Sequence, residues 1–366
     1  MTTPPGPRVV LGMTLYNNAT HLRGALDTLL AQTDRDFALL MLDDASSDET
    51  ETIAREYVER DPRVTYFRHD QRRAMIATWR EVAERAARAC PSAEYFAWVS
   101  DHDQWDPRWL EMLRRELDSD AGLVLAYPIT RRIETTSGAE LEKGPRLFET
   151  TRYEDLVTRW SYFCRHGVGA GDMVYGLMRF EALRQVGIFR TVLRPDRLLV
   201  AELTLLGRIR QVPEVLWFRR QSAETSVSRQ TQTLVLPGEA PRGFGRLPWL
   251  QHARVLWREY VRPEDRSIPL PTIRWIQMLG LYQVSYGWRH FRKTETSHAV
   301  GRGIDNVVWT RKVVRHYFHH AVYHALVGGR AALGKVRRFA RRAVFHVLVF
   351  THRFRRRRGS EETPVR

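Results

Sequence analysis

The chain has 366 residues, 43% apolar and 27% charged, which excludes a disordered chain and leaves room for two domains or one large domain with an appendage. Its 58 Lys and Arg outweigh 42 Asp and Glu to give a net charge of +16. Residues 289–358 hold 18 of those bases against only Glu295 and Asp305, so the excess sits in one C-terminal segment and a uniformly polyanion-binding protein is excluded. Cys90 and Cys164 alone cannot make a disulfide framework or a cysteine-based zinc site. There is no secretory leader pattern at the N-terminus and no uncharged apolar run of about 18 residues. The expected location is cytoplasmic, with peripheral attachment to the cytoplasmic face of the membrane as a further expectation.

In chain order, short apolar runs at 8–15, 37–42, 64–67, 95–99 and 122–127 predict strands, and 20–32, 48–60, 74–89 and 107–118 predict helices between most of them. Near-continuous apolar strands linked by crossover helices imply an α/β fold, with a mostly parallel sheet covered on both faces. Residues 131–151 read as a loop. A strand–helix unit is predicted over 172–187, a helix from about Asp196 to Gly207, and a strand at 215–218. Residues 222–248 are rich in Ser, Thr, Gln, Pro and Gly. A domain over 1–225, with halves over 1–130 and 131–225, is thus followed by a linker at 226–248. A helical basic region occupies 249–366.

In parallel sheets ligands bind beyond the carboxyl ends of the strands, and two predicted strands end there in paired acids. FALLML runs into Asp43 and Asp44, and YFAWV into Asp101-His102-Asp103. Carboxylates two residues apart on such a turn suit a hard cation, Mn²⁺ or Mg²⁺, that takes its other ligands from a diphosphate. The competing reading is a solvated turn whose acids cap the next helix.

The stretch TLYNNATHLRGALDTLLAQTDRDFALLMLDDASSDET resembles the opening of the family 2 glycosyltransferases, and Asp101-His102-Asp103 falls where that family places its metal motif. MVYGLMRFEALRQVGIF resembles the family's acceptor-side segment, and RPDRLLVAELTLLGRIRQVPEVLWFRR the stretch bearing its catalytic base. Over residues 8–225 the resemblance implies a GT-A fold and metal-dependent, inverting sugar transfer from a nucleotide-sugar donor, with a UDP-sugar expected. It implies that Thr14, Tyr16 and Asn17 pack on the nucleotide base, Asp44 accepts from its ring N–H, and Arg73 reaches the diphosphate. Asp101 would hold the ribose or the metal, Asp103 the metal, and Asp196 would deprotonate the acceptor hydroxyl. Trp105, Tyr175 and Gly176 are acceptor-side candidates, although an aromatic residue opening a helix also reads as packing. Gln104 and Gln221 depart from the family pattern, which often has a second acid and a His there, and His102 is not expected to be a ligand. Asp196, after Pro195 at the head of an apolar helix, also reads as an N-cap.

The basic helices at 311–350 carry an apolar stripe (Val313, Val314, Tyr317, Phe318, Ala321, Val322), which suits an anionic bilayer surface or packing on the core. Nucleic acid is the weaker expectation, because the bases cluster in one tail. The expected acceptor is a glycan or lipid-linked molecule in cell-envelope polysaccharide, glycolipid or other glycoconjugate synthesis. The alternative is a non-catalytic sugar- or polyanion-binding protein on the same fold.

Overall fold

A computed structural model describes residues 6–135, 137–141, 144, 147–221, 234–236, 238–240, 248–262 and 268–298, with only the backbone over 287–298. The linker at 226–248 lies mostly outside the described residues, and the tail helices at 311–350 lie wholly outside them. Two compact units divide between Arg254 and Val255.

The first unit is built on one sheet. Strands β1 (Val9–Leu15), β2 (Phe37–Asp43), β3 (Val64–Arg68) and β4 (Tyr95–Val99) are separated by helices α1 (Ala19–Leu30), α2 (Thr50–Arg60) and α3 (Ala74–Ala89). They lie side by side as β3-β2-β1-β4, all parallel. The apolar runs of β1, β2 and β4 are buried on both faces, as expected of strands under crossover helices, whereas the edge strand β3 is partly exposed. Leu22, Ala25, Leu26 and Leu29 of α1 recur at helical spacing and all face the core.

Beyond β4 the sheet becomes mixed. It continues through β5 (Gln104–Trp105), α4 (Trp109–Ser119), β6 (Leu123–Glu134), α5 (Leu156–His166) and the four-residue α6 (Ala170–Met173). Then come β7 (Leu177–Arg179), α7 (Phe180–Gln185), α8 (Pro195–Leu206) and β8 (Arg208–Gln221). The described strands complete one eight-stranded order, β3-β2-β1-β4-β7-β6-β8-β5. β7 is antiparallel to both neighbours and β5 to β8, while β6 and β8 are parallel. The architecture is α/β with a mostly parallel sheet, as the sequence implies. Two predicted boundaries change. The loop expected from 131 begins only after Glu134, and the short strand expected at 215–218 is the end of a 14-residue strand.

Gly176 has a structural reason. A Cβ there would lie 2.5 Å from the Ala126 carbonyl oxygen and 2.8 Å from Leu125 and Tyr127 atoms. The space a side chain would take is filled by β6, so this glycine lets two backbones approach.

Helix α9 (Pro248–Leu256) ends the first unit. In the second unit, a π-helical turn (Trp257–Val261) precedes α10 (Thr272–His298), and Tyr260 stacks on Trp275 at 6.0 Å. No helix among the described residues is long and apolar enough to cross a membrane.

Candidate active site

The acids expected from sequence gather where β1 and β4 end. Asp101 follows β4, and its Oδ1 accepts from Asn18 Nδ2 at 2.9 Å while its Oδ2 accepts from Tyr16 N at 3.4 Å. Asp103 is 1% exposed; Trp217 Nε1 donates to its Oδ2 at 3.1 Å and Arg220 N to its Oδ1 at 2.7 Å. Burial pushes the Asp103 carboxyl above the usual range, against the opposing pull of His102, Arg219 and the Arg220 N–H. His102 lies 2.7 Å from Asp101 Oδ1 and 3.7 Å from Asp103 Oδ1. Burial works against its charge, but these two acids outweigh burial and push its pKa up to about 8.

Asp196 occupies the second position of α8, after Pro195, and Arg194 is the cap residue, with no side-chain capping bond. Asp196 therefore does not cap its helix. Among the described residues no hydrogen bond or ion pair reaches its carboxylate. A Cβ on Gly171 would lie 3.5 Å from Asp196 Oδ2 and 3.7 Å from Arg219 Nη1, which puts both groups beside the same glycine. Tyr175 lies between these groups: its ring centre is 4.9 Å from that of Trp217, which donates to Asp103, and 5.6 Å from the Arg219 guanidinium, which shares Gly171 with Asp196. Burial raises its phenol pKa.

The nucleotide-side residues divide into two groups. Tyr16 is 41% exposed, with the Arg72 guanidinium 4.2 Å from its ring centre, and Thr14 is half-buried near the end of β1. Asn17, at φ 48, fastens β1 to the β2 loop, since its Oδ1 accepts from Ser47 N at 2.7 Å. Asp44 is buried and holds the start of α3. Its Oδ1 accepts from Arg73 N at 2.7 Å, its Oδ2 from Ala74 N at 2.9 Å, and His69 Nδ1 stands 3.0 Å from Oδ1. Arg73 points its Nη1 to Glu81 at 2.9 Å on its own helix, so the cation beside Tyr16 is Arg72. Asp43 is consumed by Ser46 and Tyr66.

Of the residues expected on the acceptor side, Trp105 is 3% exposed and packs on Trp109 in the core. Gly176 is filled by β6, as described above. Tyr175 keeps its place between Trp79 and Trp217, at 5.3 and 4.9 Å.

Sequence reasoning missed one network. Asp172, expected to head a strand, lies in α6 and is buried between two guanidiniums. Arg132 Nη2 donates to its Oδ2 at 2.6 Å and Arg219 Nη1 to its Oδ1 at 2.9 Å. The signal is the parallel register that sets Arg132 opposite Arg219, which a linear reading does not supply.

The donor set suits a hard cation. Each oxygen of Asp103 accepts one bond and keeps a lone pair, and Asp101 Oδ2 accepts only the long bond from Tyr16 N. Among the described residues no cluster of three or more His, Cys, Asp or Glu side chains forms a cage. The carboxylate pair therefore fits an ion, such as Mg²⁺ or Mn²⁺, that completes its shell with phosphate oxygens and water.

Comparison with known proteins bears on the family and the fold. The chain is 30% identical over 105 residues to an uncharacterized glycosyltransferase of Rickettsia typhi, covering 29% of this chain and 30% of that protein. A Rickettsia prowazekii counterpart matches to the same extent. The matched segment thus spans under a third of these relatives. The solved S. aureus TarS 1–349 in complex with UDP-GlcNAc shares the fold at TM-score 0.56 and 13% identity, covering 81% of this chain and 77% of that one. The sequence profile of Glycosyl transferase family 2 matches residues 11–185. Residues 11–185 thus match glycosyl transferase family 2, and the fold is that of the GT-A neighbour.

Proposed function

We propose that the chain is an inverting glycosyltransferase that moves a sugar from a nucleotide-sugar donor, a UDP-sugar in particular, to an acceptor hydroxyl. The observation that carries this reading is the placing of Asp101 and Asp103 where β1 and β4 end, with an Asp196 carboxylate beside Gly171 that no hydrogen bond reaches among the described residues. The acceptor oxygen attacks the anomeric carbon as the bond from that carbon to the diphosphate oxygen breaks. The hydroxyl proton passes to Asp196, and the bonding pair leaves on the diphosphate. Attack in line, from the face opposite the leaving group, inverts the configuration.

Asp101 and Asp103 would hold the Mn²⁺ or Mg²⁺, which when bound supplies Lewis-acid neutralisation of the leaving diphosphate. Arg219, fixed by Asp172 and the Gly171 carbonyl, adds a permanent positive charge near Asp196. Tyr16 with Arg72, Thr14, Asn17 and Asp44 serve the nucleotide end, and Asp44 Oδ2 keeps a lone pair for a ring N–H. The choice of UDP is supported by TarS, solved with UDP-GlcNAc and with UDP. The basic segment 289–358 supports a lipid-linked or envelope glycan acceptor met at an anionic membrane surface.

A thermal-shift screen of nucleoside diphosphates, with and without Mn²⁺, tests the donor. A ligand at 100 times its Kd stabilises the native state by about 2.7 kcal/mol. UDP with Mn²⁺ is expected to raise Tm more than UDP alone or any purine diphosphate. A larger shift with a purine diphosphate would move the donor class, and no shift with any of them would remove the nucleotide site.

A further inference from the structure

The backbone between α7 and α8 is held in a form it would not choose alone. Phe189 (φ 43) and Arg194 (φ 56) are both left-handed, a state that is strained for a non-glycine residue and persists only where the surroundings impose it. Three grips do so. Arg80 on α3 donates to the Ile188 carbonyl at 3.1 Å and to the Phe189 carbonyl at 2.6 Å. Arg190 pairs at 2.9 Å with Glu202, a fully buried acid on α8.

The third grip comes from α9, across the predicted linker. Leu193 N donates to Gln251 Oε1 at 3.1 Å, and His252 Nε2 stands 2.6 Å from the Leu193 carbonyl oxygen. A carbonyl only accepts, so this contact requires the proton on Nε2. His252 is 0% exposed. Burial, aided by the nearby Arg197 and opposed by the Leu193 bond, pushes its pKa down to about 3, so the ring stays neutral and keeps one tautomer. The Arg194 carbonyl then accepts the first helical bonds of α8, from Arg197 N at 3.1 Å and Leu198 N at 3.3 Å. Asp196 lies within that turn. Its carboxylate has no hydrogen bond of its own among the described residues, so what the fold fixes is where the backbone of this turn places the side chain.

We propose that α9 is a latch for the base: Gln251 and His252 are positioning residues that grip both polar backbone groups of Leu193 and thereby aim the Asp196 carboxylate. This rests on the reading of Asp196 as the base. It also makes a segment beyond the 222–248 stretch part of the catalytic apparatus.

The test uses the full chain with UDP-GlcNAc hydrolysis in Mn²⁺ as the turnover probe, UDP binding, and amide hydrogen exchange over residues 190–198. Gln251 is half-buried, so Gln251→Leu removes the acceptor with little threat to the fold, and Gln251→Glu keeps it. Gln251→Leu is expected to speed exchange of the Leu193 and Arg197 amides at least about tenfold. It should also lower kcat about tenfold at unchanged donor KM and UDP affinity, with recovery in Gln251→Glu. Unchanged exchange overturns the latch. Faster exchange with unchanged kcat overturns its role in catalysis. If Asp196→Asn keeps full turnover while Gln251→Leu still loosens the segment, the reading of Asp196 fails and the structural latch stands. If the wild type does not turn over UDP-GlcNAc, the functional reading is what that result counts against, and exchange alone decides the latch.

Discussion

Replacing Asp196 by Asn is expected to lower kcat by about 10²-fold or more while donor KM, UDP affinity and the fold are kept. The carboxylate makes no protein hydrogen bond among the described residues and does not cap α8, so the amide leaves no partner stranded. What stability is lost comes from the favourable placing of a negative charge in the first turn of a helix, about 0.3–1 kcal/mol. The loss therefore falls on proton removal, which an amide cannot perform. Steady-state kinetics with a thermal melt on the same sample checks this. A rise in donor KM at constant kcat would make Asp196 a binding residue and move the base elsewhere.

Asp103→Asn is expected to abolish turnover and the Mn²⁺-dependent part of UDP binding. Here the fold is also affected. The two oxygens of Asp103 accept from Trp217 Nε1 and Arg220 N, and an asparagine turns one of those acceptors into a donor. One N–H in a site only 1% exposed then loses its partner, at about 1–3 kcal/mol. Tm should fall while the unfolding transition stays cooperative. Calorimetric titration of UDP with and without Mn²⁺ separates the two effects. Equal metal dependence in the variant and the wild type would take Asp103 out of the metal site.

Much of this was legible in the chain because the first half of the sheet follows simple rules. FALLML and YFAWV can only be strands buried on both faces, and the acids that follow them must emerge at the ligand edge. Asp101 and Asp103 were accordingly placed beyond β4 from the sequence, whereas Asp196, on α8, was singled out through the family resemblance. The second half resists the same reading. In β8 arginines alternate with apolar residues, RIRQVPEVLWFRRQ, and several positions are half-buried, so only its apolar end looks like a strand. Asp172 stands before strand-forming residues but lies in a four-residue helix, and its purpose appears only when β6 and β8 bring Arg132 and Arg219 to it. Trp105 looks like a sugar platform beside the acids, yet a two-residue pairing with β8 turns it into the core. The Leu193 latch is a contact over 58 residues, which no local pattern announces.

The measurement closest to the central claim is release of nucleoside diphosphate from nucleotide sugars by the full chain with Mn²⁺, with the anomeric configuration of the sugar product followed by NMR. The account predicts release of UDP from a UDP-sugar and a product of inverted configuration, both lost in Asp196→Asn. Release of no nucleoside diphosphate from UDP-, GDP- or dTDP-sugars, or a product of retained configuration, would contradict it.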